Sequence, residues 1–298
     1  MYRNTKILHF FADVLIIVFL FFLAAVTIYP FLNALAISLN EARNTSLGGI
    51  SIIPRAFTLE NYKMIVQNQS LYHALFVTVM RTLIGTAGSV LATAMFAFGL
   101  SKNYLKGRKT YMKLCLITMY FHGGLIPTYM LIRSLGLINS FWVYIIPNLI
   151  SVWNMIIMRT YFRSLPEAIE ESAKIDGAST WGVFFKIVMP VSSPIIATIA
   201  LFNGVFHWNS WFDAAIYITH NNLKPIQSIL NSLINSSRFA EEIANAGPAA
   251  AMMSTMHIIN SRSLTMATMV ATIIPIVIVY PFLQKYFAKG LMIGSVKG

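Results

Sequence analysis

Residues 167–190 read EAIEESAKIDGASTWGVFFKIVMP. Four acids and two lysines fall in this short interval, in a chain of which only 11% of residues are charged. Ser164 followed by Glu167 has capping-box spacing, and Pro166 falls in a first turn, where its missing N–H costs little. Glu167, Glu170, Glu171 and Lys174 lie at i, i+3, i+4 and i+7, so they form one polar stripe. Ala168, Ile169, Ser172, Ala173 and Ile175 supply smaller, less polar surface around it. Gly177 after Asp176 is a helix stop. Ser179 or Thr180 caps a second helix over Trp181–Val188, which Pro190 closes. The spacing predicts a helix–turn–helix facing water between two apolar segments. By pattern alone it is either a solvated connection or a rigid element whose small residues admit another protein's groove.

The surroundings of this interval are apolar. The chain has 298 residues, 57% of them hydrophobic, and a mean hydropathy of +0.67. Its charged fraction is less than half the roughly 25% of a soluble domain. That is too little polar surface to cover a globule of this size, and it implies a polytopic membrane protein. The formal net charge is +12, but the basic residues gather at segment ends, a topology signal rather than a nucleic-acid patch. Cys115 is the single cysteine, which excludes an internal disulfide framework and a multi-cysteine zinc or iron–sulfur site.

A membrane helix needs roughly 20 apolar residues, because its backbone polar groups must be satisfied within the segment. Six candidates fall at about 14–36, 71–100, 114–132, 138–158, 191–218 and 264–283. The first is too long for the apolar core of a cleaved signal peptide. With the N-terminus inside, 14 of the 22 basic residues lie on the cytoplasmic side and seven outside. The expectation is therefore N-in and C-in, with 163–190 a cytoplasmic loop. Two outer loops are long. Residues 37–70 contain Pro54 and FTLENY. Residues 219–263 contain PIQSILNSLI, whose Ile226, Ile229, Leu230, Leu233 and Ile234 share a helical face, followed by NAGPAAAMMST, which reads as a flexible connection.

A polar solute with apolar faces, such as a sugar, needs aromatic platforms beside amide or hydroxyl donors. The candidate path residues are Tyr120 and His122 beside Gly123–Gly124, which loosen or break the third segment, and Asn203, His207, Trp208, Asn209, Trp211 and Asp213 in the fifth. Asn203 and Trp208 fall on different faces, so these residues do not all line one path. Arg81 is costly in lipid. It is either a cavity-facing donor, suited to an acidic sugar, or a structural residue near the interface or paired with Asp213. No HExxH or carboxylate cluster accompanies the histidines, so no metal site is expected. Nothing here resembles the nucleophile–base pair of an intramembrane enzyme.

The stretch ESAKIDGASTWGVFFKIVMP resembles the "EAA" motif of binding-protein-dependent ABC importers. Glu171, Ser172, Ala173, Asp176, Gly177, Ile187 and Pro190 fall in register, with Ser172 for the middle Ala and Met189 for the usual Leu. FTLENY, GGLIPTY at 123–129, HWNSWFDA at 207–214 and the ending GLMIGSVKG look like carbohydrate-uptake permeases of the maltose-importer type. They look most like the branch for oligosaccharides and polysaccharide fragments, aldouronate and alginate types included. The resemblance covers nearly the whole chain. It implies an all-α type I importer permease with six spans, forming one transmembrane domain in the bacterial cell membrane. It further implies that Glu170, Glu171, Ser172, Ala173, Asp176, Gly177 and Ala178 belong to a coupling helix docked on a cytoplasmic ATPase dimer, with Glu171 and Asp176 as charge partners. The other implied partners are a second six-span permease, an extracellular sugar-binding protein and a carbohydrate. The chain has no GxxxxGK[ST] phosphate loop, so it binds no cofactor of its own, and ATP and Mg belong to the partner ATPase. The tail LMIGSVKG either reaches between ATPase subunits or frays. The alternatives are a permease for a non-sugar solute and an ATP-independent secondary transporter, which would carry internal repeats and ionisable residues deep in several spans.

Overall fold

A computed structural model describes residues 2–245 and 262–281, with side chains placed for 10–238 and 262–281. The elements in order are α1 (Tyr2–Ser38), α2 (Ala42–Thr45), α3 (Glu60–Gln67), α4 (Gln69–Ser101), α5 (Arg108–Tyr120), α6 (Leu125–Ser134), α7 (Val152–Ser164), α8 (Glu167–Ile175), α9 (Thr180–Val183), α10 (Met189–Val191), α11 (Ser193–Asn209), α12 (Phe212–Tyr217) and α13 (Ile226–Asn245). A further helix, α14, runs Arg262–Pro281. No strand is present among the described residues. Most of NAGPAAAMMST, the end of the sixth expected span and the whole GLMIGSVKG tail lie outside the described residues.

Among the described residues, three helices are long and apolar enough to cross a membrane: α1 from Phe10, α4 and α14. Three bent pairs join them if each pair is one span. The third expected segment breaks after Tyr120 and restarts at Leu125, bent by 115°. Gly124, at φ +85°, makes the corner. The fourth is not one helix. It runs as 3-10 turns over Phe141–Asn148 and then α7, at 49°. Pro147 has no N–H to continue a ladder, and the Ser151 hydroxyl caps α7 by accepting from Asn154 N at 3.3 Å. The fifth bends by 82° at Ser192. Pro190 does not close the second short helix as expected. A π turn over Phe184–Val188 resets the ladder, and Pro190 sits in the first turn of α10. α11 then ends at Asn209, short of the expected Ile218.

The chain forms two units. One comprises the described residues up to Gln69 with those of 230–274. Here α1 exposes apolar side chains all round, as a helix immersed in lipid does. Its C-terminal carbonyls are closed by FTLENY: Asn61 Nδ2 donates to Ser38 O at 2.9 Å and to Asn40 O at 3.0 Å. The buried Asn40 accepts from Ala56 N at 2.8 Å and donates to Thr45 Oγ1 at 3.0 Å. In the part of α13 that belongs to this unit, Leu230 is buried while Ser232, Asn235, Ser236 and Arg238 are exposed, in keeping with the apolar face read from PIQSILNSLI.

The second unit, residues 70–229 with 275–281, contains both apolar cores and every candidate site residue. α4 organises it. Its buried side carries Thr78, Arg81, Gly85, Ser89 and Thr93 at helical spacing. Ser89 Oγ donates to Asn148 O at 2.9 Å and Thr93 Oγ1 to Leu149 O at 3.4 Å. A broken segment leaves carbonyls without helix partners, and these hydroxyls supply them. One core joins α4 to α7, α8 and the π turn through Phe98, Phe162, Ala173, Phe184 and Val188. The other joins α4 to the 3-10 turns and α12 through Val77, Tyr144 and Ala214.

Candidate functional site

Helix α8 begins without a side-chain cap, at Pro166. The capping box expected from Ser164 and Glu167 does not form. Ser164 ends α7, and its hydroxyl donates back to Tyr161 O at 2.7 Å. The other end is tightly specified. Gly177 takes φ +81°, Ala178 N donates to Ala173 O at 2.9 Å and Gly177 N to Lys174 O at 3.0 Å. This is the left-handed glycine closure that satisfies the last carbonyls of a helix. Ser179, not Thr180, caps the next turn by accepting from Gly182 N at 3.1 Å.

The faces of α8 diverge. Ala173 is buried in the core beneath it, while Glu171, Ser172, Asp176 and Gly177 are exposed and Ala178 is half-buried. Ile175 is 85% exposed and Trp181 61%. The acidic stripe is divided. Glu170 turns inward to an ion pair with Lys102, whose ammonium sits 4.0 Å from the centre of the Phe98 ring. Glu167 accepts from Asn103 Nδ2 at 3.1 Å, and Asn103 Oδ1 accepts from Arg108 at 2.7 Å. Arg159 of α7 donates to Leu100 O at 2.9 Å, closing the end of α4 beside them.

About 21 residues earlier on α4, roughly 30 Å at 1.5 Å per residue, lies a second constellation. Arg81 is fully buried and pairs with Asp213, Nη2 to Oδ2 at 2.5 Å and Nη1 to Oδ1 at 3.3 Å. It also donates to Ser210 O at 3.1 Å and lies 4.2 Å from the centre of the Tyr144 ring. The Tyr144 hydroxyl donates to Leu223 O at 2.7 Å. One turn along α4, Gly85 leaves room for the His207 imidazole: a Cβ there would come within 2.5 Å of Nε2. The arrangement stores two opposite charges with their partners. Of the two readings of Arg81, the structure adopts the ion pair with Asp213.

The remaining candidates are dispersed. Asn203 is buried one turn from His207, and its amide donates to Ile199 O at 3.1 Å. Asn209 and Trp211 are exposed, the former donating to Val205 O at 3.0 Å. Tyr120 and His122 are exposed at the bend before α6. Trp208 lines a cavity of about 580 Å³ between α4, α11 and the end of α14, with Thr82, Thr86, Val205 and Ile276. Three contributors escaped the sequence reading. Tyr144 looks like any interfacial aromatic. Gly85 had a signal, a glycine one turn from a buried arginine. Lys102 was legible only as a topology charge. Among the described residues no group of three or more His, Cys, Asp or Glu is placed to hold a metal ion.

Residues 3–293 match the family model described as "Binding-protein-dependent transport system inner membrane component". The polygalacturonan/rhamnogalacturonan transport system permease protein YtcP of Bacillus subtilis (strain 168) is 39% identical over 287 residues, 96% of this chain and 98% of the relative. Protein LplC of the same organism is 39% identical over 300 residues, covering 99% and 98%. Among solved structures, a chain of a bacterial ABC transporter involved in the import of the acidic polysaccharide alginate superposes with a TM-score of 0.82 at 25% identity, over 93% of this chain and 96% of that one.

Proposed function

This chain belongs to the family of binding-protein-dependent transport system inner membrane components, and on that premise we propose how its parts divide the work. The chain is the membrane-spanning permease subunit of an ABC importer for an oligosaccharide. Its relatives' polygalacturonan, rhamnogalacturonan and alginate point to a fragment of an acidic polysaccharide as the cargo. The bent pairs each count as one span, giving six, with both termini inside. α8 is the coupling helix on the cytoplasmic side, and Glu171, Ser172, Asp176, Gly177 and Ala178 face a groove of a separate ATPase dimer. ATP and Mg are bound and turned over there, and the permease itself catalyses nothing. Closure of that dimer pushes α8, and the spans alternate between inward- and outward-facing arrangements around a site near the midplane.

The observation that carries this reading is α8 itself. It is a short helix seated on the core by Ala173 and closed by a left-handed glycine, and it presents Glu171, Ile175 and Asp176 to the surroundings. Ile175 and Trp181 are both exposed on this element, apolar surface that a docked partner would cover.

The cargo path is shared with a second six-span permease. In this chain Arg81 is already matched by Asp213, so it does not offer free charge to an acidic sugar. The 580 Å³ cavity beside Trp208 is lined almost wholly by apolar atoms, whereas a sugar needs convergent polar donors. The test is reconstitution in liposomes with an ATPase, a second permease and an extracellular binding protein. ATP turnover rises when the binding protein is loaded with an acidic oligosaccharide, and solute accumulates. Solute movement by the isolated chain without ATP would replace this reading with a secondary transporter.

A further inference from the structure

The acids of α8 point two ways, and the inward pair ties the helix to its own chain. Glu170 bonds Lys102, and Glu167 bonds Asn103. Both partners lie just past the end of α4, which Arg159 of α7 closes at Leu100 O. The Lys102 ammonium is held between the Glu170 carboxylate and the face of Phe98. Phe98 in turn packs on Phe184 with ring centres 5.0 Å apart, and both lie in the core that seats Ala173. A half-buried charge pair resting on an aromatic face is shielded from solvent more than a surface pair, and breaking one side leaves the other unmatched. Its side chains are 11% and 16% exposed.

We propose that Lys102 and Glu170 form a clamp making α8 and α4 one moving body, so that a push on α8 is delivered to α4 and, through its length, to the Arg81–Asp213 pair. Glu170 is thereby a positioning residue directed into its own chain, while Glu171 and Asp176 remain for the ATPase. Asn103, held between Glu167 and Arg108, is the second point of the clamp. The inference rests on α8 being the coupling helix.

The experiment uses the assembled importer in liposomes and reads solute moved per ATP hydrolysed. Lys102→Glu and Glu170→Lys each lower that ratio by about five-fold or more, the scale of a typical coupling between sites, at undiminished membrane level. Combining the two recovers at least about half of the loss, and Lys102→Arg, which keeps a cation over the Phe98 ring, retains most of the ratio. An unchanged ratio in both single variants overturns the clamp. So does a Glu170→Lys defect that Lys102→Glu does not relieve, because Glu170 would then be meeting a cation of another subunit. If the reversed charges prevent insertion, Lys102→Met and Glu170→Gln are read in the same way. Hydrogen exchange on the purified permease alone supplies a readout independent of transport. Glu170→Gln speeds exchange of the α8 amides by about three-fold or more through local opening; unchanged exchange overturns the clamp. Wild-type complexes that import nothing would count against the importer reading, whereas wild-type import with insensitive variants counts against the clamp.

Discussion

Arg81 and Asp213 meet through two parallel contacts across 132 positions of sequence, with the guanidinium fully buried and Tyr144 beneath it. A paired charge in a dry setting is costly to break from one side, because the survivor keeps its desolvation penalty. Asp213→Ala is therefore expected to cost roughly 3 kcal/mol, read as a lowered unfolding midpoint of the purified protein in detergent. Replacing both residues with apolar ones of similar volume should recover most of that loss. A single variant as stable as wild type would show that the pair contributes nothing to the fold.

Gly85 and His207 make a contact that tolerates no Cβ. The fully buried imidazole or the backbone of α4 would have to shift. Gly85→Ala is expected to destabilise by about 1–3 kcal/mol, as overpacking does. Adding His207→Ala should relieve part of it. Equal midpoints for Gly85→Ala and wild type would mean that the ring moves freely.

Ser89 supplies the carbonyl of Asn148, which the break after Pro147 leaves without a helix partner. Ser89→Ala removes that donor and should cost about 1–2 kcal/mol. The effect should localise to the 141–151 stretch in hydrogen exchange. Uniform exchange across the unit would argue against a local role.

Gly177 ends α8 at φ +81°, and an added Cβ there meets nothing within 4 Å. The strain of a side chain is thus confined to the turn, about 1 kcal/mol, while its bulk occupies the face proposed to meet the ATPase. Gly177→Trp should insert and assemble its own fold yet lose ATP-driven uptake. Wild-type uptake by this variant would contradict the docking of that face.

How far these relationships could be read from the chain depends on how local their causes are. The stop at Gly177 and the cap at Ser179 depend on a few adjacent residues, and the sequence pattern places the first and narrows the second to Ser179 or Thr180. The breaks at Pro147 and Ser192 are less legible, since the apolar runs continue through them. What permits the first break is a pair of hydroxyls on another helix, Ser89 and Thr93, and single-segment hydropathy does not register them. Glu170 and Glu171 look equivalent on a helical wheel. They separate only because Lys102, 68 positions earlier, meets one of them. Arg81 had Asp213 among its foreseen fates, but Tyr144 carried no mark of its role. Of the aromatic and amide residues gathered as a path, Tyr120, His122, Asn209 and Trp211 share a composition suited to sugars, yet all four are exposed while Arg81 is buried.

The central claim is that α8 meets the ATPase on the cytoplasmic side, and a cysteine at its most exposed apolar position tests it most directly. With Cys115 replaced by serine, Ile175→Cys in the assembled importer is paired with single cysteines along the ATPase groove and oxidised. The account predicts a cross-linked permease–ATPase product, and protection of the introduced thiol from an impermeant reagent added outside intact cells. Labelling of that position from outside, or an assembled importer in which it joins to no ATPase cysteine, would contradict the account.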